Sequence, residues 1–209
     1  MADTYYRRYT ELPALIQLLT HRQLTLLDPR SWDDRNDAYF LEQYREKRKL
    51  KSVLALCFTQ AGETYHHWRV FAPGSAGVCI SFRIPKLRAA LRKTKGLKLK
   101  TVDYLTLDEL RHMKRVPVAR LPFLKRYAFQ PEDEVRIVWE SATQEQHALP
   151  VPIDLAAISR ITLSPWLHPS LADEVKALLK SIPGCARLPV YRSTLISNAE
   201  WMKRGAEAR

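Results

Sequence analysis

Phe123-Leu-Lys-Arg-Tyr-Ala-Phe-Gln-Pro-Glu-Asp-Glu-Val-Arg-Ile-Val-Trp139 is the stretch from which the rest of the chain is read. It sets Lys125 and Arg126, a run of three acids and several aromatics around Pro131, then passes into an apolar alternation. From Glu132 the order is period two. Glu132, Glu134 and Arg136 fall on one side and Asp133, Val135 and Ile137 on the other, so the polar three share a face of a strand or its approach. Two acids so placed can separate their pKa values, one staying ionised and the other serving as acid or hydrogen-bond donor, with Arg136 as counter-charge or substrate clamp. The same alternation also reads as a solvated edge strand whose charges discourage aggregation, and both readings stand at this level.

At 209 residues the chain is long enough for one sizeable core and short for two, so a single domain over 1–209 is expected. With 46% hydrophobic residues, five Trp and nine Tyr there is enough apolar surface to offset chain entropy, which excludes a disordered class. The 34 Lys and Arg exceed the 22 Asp and Glu, and the resulting charge of +12 favours polyanionic partners such as nucleic acid or phosphate-bearing cofactors, though solubility alone also accounts for it. Cys57, Cys79 and Cys185 have no short metal-ligand spacing, and two lie in apolar runs. They read as reduced core thiols of an intracellular protein. The first residues lack an apolar run behind their charges, and nowhere do about 18 apolar residues follow one another. A cytoplasmic protein without a membrane span or a metal is expected.

Working outward, Thr4–Thr10 reads as a strand and Glu11–Thr20 as an amphipathic helix. Ser31–Asp37 gathers turn and capping residues before a helix over Ala38–Lys51. Asp33, Asp34 and Asp37 lack the spacing of a calcium loop, so a structured turn is expected there. Val53–Thr59 suits a buried strand ending in the Thr59 hydroxyl. Glu63–Phe71 reads as a short helix with Tyr65, Trp68 and Phe71 facing one way. Its neighbours His66 and His67 point apart, which argues against a shared metal, and His66 is assigned to the pocket side. Val78–Phe82 is a strand, and Arg83–Lys100 is a basic patch free of acids in which Arg92 and Lys93 are candidate anion contacts, as Lys125 and Arg126 are in the opening stretch. Thr106 and Glu109 form a capping box after a strand over Thr101–Leu105. Ser141–Ala148 is a polar tip, Ile158–Leu163 a strand, Ser170 with Asp173 the cap of a helix to Leu179, Leu188–Tyr191 a late strand, and Ser197 with Glu200 the cap of a last helix. The fold class that follows is α+β, with a mixed, mostly antiparallel central sheet flanked by helices. Trp32, Leu54, Leu56, Phe58, Val78, Ile80, Phe82 and Ile137 are its predicted core.

In order along nearly the whole chain, Arg8-Tyr9-Thr10, Trp32-Asp-Asp-Arg-Asn-Asp37, Leu56-Cys-Phe-Thr59, Tyr65-His-His-Trp68, Gly77-Val-Cys-Ile-Ser-Phe82, Phe123–Phe129 and Glu132–Ile137 resemble a bacterial family known as domain of unknown function 2971. A more distant set resembles the ADP-ribosyltransferases. In one branch an arginine on the first strand holds a phosphate or ribose of NAD, a Ser/Thr strand end supports the glutamate, and a Glu-X-Glu pair follows on a later strand. Arg8, Thr59 and Glu132-Asp-Glu134 stand in that order here, although Cys-Phe-Thr59-Gln departs from Ser-Thr-Ser. The His-Tyr-Glu pattern of the other branch is incomplete, because Arg8 replaces the histidine. The resemblance implies an ADP-ribosyltransferase-like fold and NAD as cosubstrate. It also implies Glu134 and Glu132 as catalytic acids beside Thr59, with Arg8 on the pyrophosphate and Tyr9 or Tyr65 stacked on the nicotinamide; Arg136 and His66 are counted as further cofactor contacts. Three functions stay open: an NAD-using transferase acting as toxin or defence factor, a nucleic-acid-binding module without catalysis, and a nuclease using the clustered carboxylates Asp33, Asp34 and Asp37 with the Glu132/Glu134 pair.

Overall fold

The computed structural model describes residues 5–208. In chain order it contains β1 (Tyr5–Glu11), α1 (Leu12–His21), β2 (Gln23–Leu27), α2 (Arg35–Lys47), β3 (Ser52–Thr59), α3 (Tyr65–Phe71), β4 (Gly77–Arg83), α4 (Ile84–Leu91), β5 (Leu97–Thr101) and β6 (Asp103–Leu105). There follow α5 (Leu107–His112), β7 (Leu124–Arg126), β8 (Glu134–Ser141), β9 (Ala148–Pro152), β10 (Ile158–Leu163), α6 (Pro169–Ser181), β11 (Val190–Arg192) and α7 (Ala199–Ala206). Among the described residues nine strands form one sheet in the order β11-β10-β4-β1-β3-β2-β9, with β8 and then β5 branching from β3. β10–β11 and the separate β6–β7 pair are parallel and the other pairings antiparallel, so the class is α+β with a mixed sheet.

β3 is the branch point, and its register explains the cleft described below. β8 follows one edge of β3 from Ser52↔Ser141 to Thr59↔Glu134. On the other edge β1 is paired only at Arg7↔Thr59 and β2 only at Leu27↔Ala55. The two strands splay apart on either side of Cys57. Both faces of β3 are covered, which is why its sequence is almost continuously apolar. Leu54, Leu56 and Phe58 enter the main core with α1 and α4, and Val53 and Ala55 enter a smaller core beneath α2. A third cluster, Tyr9, Trp68, Ala72 and Cys79, lies under α3.

Of the predicted core, seven members are buried, and Trp32 is half-buried. The edge-strand reading of the charged stretch is overturned, because β8 runs between β3 and β5 with Glu134 4% and Arg136 0% exposed. Glu132 also leaves the expected strand face. It ends a 3-10 segment, Tyr127–Glu132, and Asp133 turns the chain at φ +43° before β8 begins. α2 begins three residues earlier than Ala38, since the Asp34 carboxylate caps it by accepting from the amides of Asn36 and Asp37. It stops at Lys47, before the left-handed Lys49. His168 and Asn198, not Ser170 and Ser197, cap α6 and α7. β9 escaped the sequence reading because Pro150 and Pro152 argue against a strand, and an edge position pairing only with β2 tolerates them. Thr4, placed in the first strand, lies outside the described residues.

Gly77 opens β4 with no room for a side chain, since a Cβ there would stand 2.3 Å from the Ala72 carbonyl oxygen. Gly77→Ala is expected to cost about 2 kcal/mol in urea unfolding. Gly62→Ala, where nothing lies within 4 Å, is expected to be near neutral. Equal midpoints for the two variants would contradict the close approach of α3's exit to β4.

Candidate active site

The splay of β1 from β2 opens a cleft of about 470 Å³, in the size range of sites for small ligands and cofactors. Arg7, Arg8 and Tyr9 of β1 form one side, Cys57 and Thr59 the floor, and His67, Val70 and Phe71 of α3 an upper wall. Trp32, Asp33, Asp34 and Asp37 at the start of α2, with Lys125, Phe129, Glu132 and Glu134, close the opposite side.

Beneath that side lies a network of buried charges. Arg136 places Nε 2.6 Å from Glu134 Oε1, and Nη2 2.9 Å from Glu134 Oε2 and 2.6 Å from Asp37 Oδ2. Its Nη1 donates to Asp37 Oδ1 at 2.8 Å and to the Pro122 carbonyl at 2.9 Å. All the guanidinium's N–H groups are thereby engaged. The Arg136 guanidinium also stacks over Trp32, 5.0 Å from the ring centre. Lys125 Nζ completes the network, 2.6 Å from Glu132 Oε2, 3.4 Å from Glu134 Oε2 and 3.6 Å from Asp37 Oδ2. Three carboxylates thus share two cations, away from solvent.

Their protonation behaviour differs. Burial pushes Glu134 up, but Arg136 and then Lys125 outweigh it and hold the carboxyl down at about 2. Burial also pushes Glu132 up, and there Lys125 offsets it only in part, so its pKa is raised. Asp37 is likewise raised by burial, against the pull of Arg136. Burial opposes the charge on Lys125, yet Glu134, Glu132 and Asp37 together raise its pKa. At neutral pH the cleft presents a fixed carboxylate at Glu134 and a second acid, Glu132, that gains a proton more readily.

On the β1 side, Arg8 Nη1 donates to the Cys57 carbonyl at 3.1 Å, across the gap left between β1 and β2. Arg7 Nη1 donates to the Ala61 carbonyl at 2.8 Å. Thr59 Oγ1 accepts from the Ala61 amide at 3.0 Å, fixing the turn after β3. Tyr9 is buried, with His67 stacked on it at 5.3 Å and Trp68 edge-on at 5.1 Å. Its hydroxyl lies beside the Cys79 thiol, and the Asp34 Oδ2 is buried without a hydrogen-bond partner among the described residues.

Of the residues singled out from sequence, the cleft brings together Arg8, Tyr9, Thr59, Lys125, Glu132 and Glu134. Three placements differ from expectation, those of the Tyr65–His66 pair, Arg136 and Lys125. Tyr65 and His66 face outward from α3, because the helix turns Trp68 and His67 inward. Tyr65 instead packs on Trp166 and Arg69. Arg136 lies beneath the cleft with its donors spent on protein acceptors, which leaves it no fork for a ligand. Lys125 is committed to carboxylates rather than offered to anions at the surface. Arg126, Arg92 and Lys93 are exposed and outside the cleft lining. Among the described residues no three His, Cys, Asp or Glu are grouped to hold a metal ion, and no helix is long and apolar enough to cross a membrane. Of the two adjacent histidines it is His67, not His66, that lines the cleft, and Asp37, grouped with the Glu132/Glu134 pair in the nuclease reading, meets Glu134 through Arg136. Asp37 sat in a segment read as a turn, and nothing local marks it as the partner of an arginine far along the chain.

No protein-family model matches the chain, and no curated protein does, so the resemblance to the domain of unknown function 2971 family stays an expectation. Among solved structures, DarT of Thermus sp. 2.9 in complex with carba-NAD+ aligns over 92% of this chain and 97% of its own at 15% identity and a TM-score of 0.47. The same protein in complex with ADP-ribosylated ssDNA aligns over 91% and 94% at 15% identity and a TM-score of 0.47. Its NAD+ complex aligns over 92% and 96% at 13% identity and a TM-score of 0.45. At that distance the likeness is one of outline, and the functional reading rests on the cleft's own residues.

Glu134 fixes the sign of the acid response. Its folded pKa lies below the ordinary 4.5, so the stability it contributes is complete above that value and is lost as pH falls toward about 2. The contribution corresponds to about 3 kcal/mol at neutral pH. Glu134→Gln is expected to lower stability at pH 7 by that order and to flatten the stability profile between pH 4.5 and 2, read by urea titrations across pH. Arg136→Met, which leaves Asp37 and Glu134 without their main partner, is expected to cost more, about 3–5 kcal/mol. An acid limb unchanged in Glu134→Gln would contradict the assigned charge state.

Proposed function

We propose that the chain is an NAD-using enzyme that breaks the bond between nicotinamide and ribose and passes the ADP-ribosyl group to an acceptor or to water. The observation that carries this reading is the meeting of Glu132, Glu134 and Arg8 in one cleft. A module that only binds nucleic acid has no need of buried converging acids. In the nuclease reading the same acids would hold a metal, whereas here they are bound up with Lys125 and Arg136.

The cleft has two electrostatic ends joined by apolar walls. Arg7 and Arg8 stand at one, Glu132, Glu134, Asp33 and Asp34 at the other, and Leu27, Trp32, Phe71 and Phe129 line the space between. NAD is a two-ended ligand of matching order, with an anionic pyrophosphate and a cationic nicotinamide ring. Arg8 suits the pyrophosphate, and Asp34 Oδ2 is a buried polar group on the cleft with no hydrogen-bond partner among the described residues.

As the glycosidic bond breaks, its electron pair leaves with nicotinamide and positive charge spreads over the ribose. A carboxylate already ionised and held in place lowers that barrier without reorganising. Glu134 meets this requirement. Arg136 and Lys125 donate to it from beneath the cleft and the Cys57 thiol lies beside it, so the carboxylate is held on the cleft lining in fixed geometry. Glu132, with its raised pKa, is suited to take the proton that the acceptor loses as it bonds to the ribose carbon. The net charge of +12 and the exposed Arg92, Lys93 and Arg126 support an anionic acceptor or partner such as nucleic acid.

Chromatography of nicotinamide released from NAD tests the reading. Wild type is expected to release it. Glu134→Gln, shown folded by circular dichroism, is expected to lose roughly 100-fold or more. Arg8→Ala is expected to act mainly by raising KM. Absence of nicotinamide release by wild type would sink the proposal.

A further inference from the structure

His67 is the group that ties the two walls of the cleft together. It is 1% exposed on α3, and both ring nitrogens are used. Nε2 lies 3.1 Å from the Glu132 carbonyl oxygen, which can only accept, so Nε2 carries the hydrogen. In the neutral ring Nδ1, 2.6 Å from Thr64 Oγ1, is then the acceptor of the Thr64 hydroxyl. Thr64 is itself fixed as the N-cap of α3, its oxygen accepting from the His67 amide at 3.2 Å. Burial favours this neutral form by pulling the His67 pKa down. The carbonyl it holds belongs to the last residue of the 3-10 segment, just before the left-handed Asp133 and the first residue of β8. That position bears on where Glu132 stands, whereas Glu134 is held separately by its pairing with Thr59 and its backbone bonds to Val102 and Tyr104.

We propose that His67 is a positioning residue of this site: through its Nε2–H it fastens the Glu132 carbonyl to α3 and so sets the placement of the Glu132 carboxylate against the Arg8 side. The inference goes one step past the NAD reading and rests on it for its catalytic consequence, while the fastening itself stands on the hydrogen bonds alone. Loss of the Nε2–H leaves a buried carbonyl unpaired and lets the turn shift, and a displacement of about 1 Å at reacting groups can cost on the order of 100-fold.

The test compares His67→Phe, which keeps a ring and loses the donor, with His67→Gln, whose amide can still donate to Glu132. Nicotinamide release and amide hydrogen exchange at residues 130–134 are followed on the same samples. The expected result is a fall in kcat of about 10- to 100-fold in His67→Phe with little change in KM, partial recovery in His67→Gln, and faster exchange in the phenylalanine variant only. Equal activity in wild type and His67→Phe, or equal losses in both variants, would overturn the inference. If wild type releases no nicotinamide, the NAD reading falls, and the exchange contrast alone decides the fastening: present, it upholds it, and absent, it overturns it.

Discussion

The structure depends on one buried cation, the guanidinium of Arg136. Removing such a charge from water is expensive, and the cost is offset only when every donor finds an acceptor of fixed geometry. Here Glu134, Asp37 and the Pro122 carbonyl take those donors, so β8, the start of α2 and the segment before β7 are locked to one point. The apolar face of β8 would tolerate many sequences. The opposite face, with its buried acids and cations, is far less permissive. The same arrangement that makes this face structural also makes it chemically useful, because an acid flanked by two cations stays ionised where a lone buried acid would not.

The cleft exists because β3 has more neighbours than one edge can pair. β1 meets it at Thr59 and β2 at Ala55, and between them Arg8 reaches the Cys57 carbonyl in place of a strand. A sheet without this splay would bury the space in which the acids face Arg8. Backbone geometry therefore opens the site, and the charge network furnishes one side of it.

Much of the fold was legible. β3, β4, β8 and β10 announce themselves by apolar runs or alternation, and the Thr106–Glu109 capping box is present as read. What escaped reading was long-range. Charge alternation at Glu134 and Arg136 looks the same on a wet edge as on a buried face, and only Asp37, far off in sequence, tells the two apart. On α3 a three-residue aromatic spacing favoured Tyr65, Trp68 and Phe71. The helix turns so that His67 is buried beside Trp68, because Thr64 and the Glu132 carbonyl satisfy both imidazole nitrogens. The Lys125 side chain read as a surface cation because sequence shows its charge and not the three carboxylates gathered around it.

The most direct measurement is an experimental structure of the protein with a non-cleavable NAD analogue bound. The expected result places the pyrophosphate against Arg8 and the ribose carbon of the glycosidic bond beside Glu134, with the Arg136 and Lys125 contacts intact. A ligand bound elsewhere, or a Glu134 carboxylate turned away from the ribose, would contradict the assignment of this cleft as the reacting site.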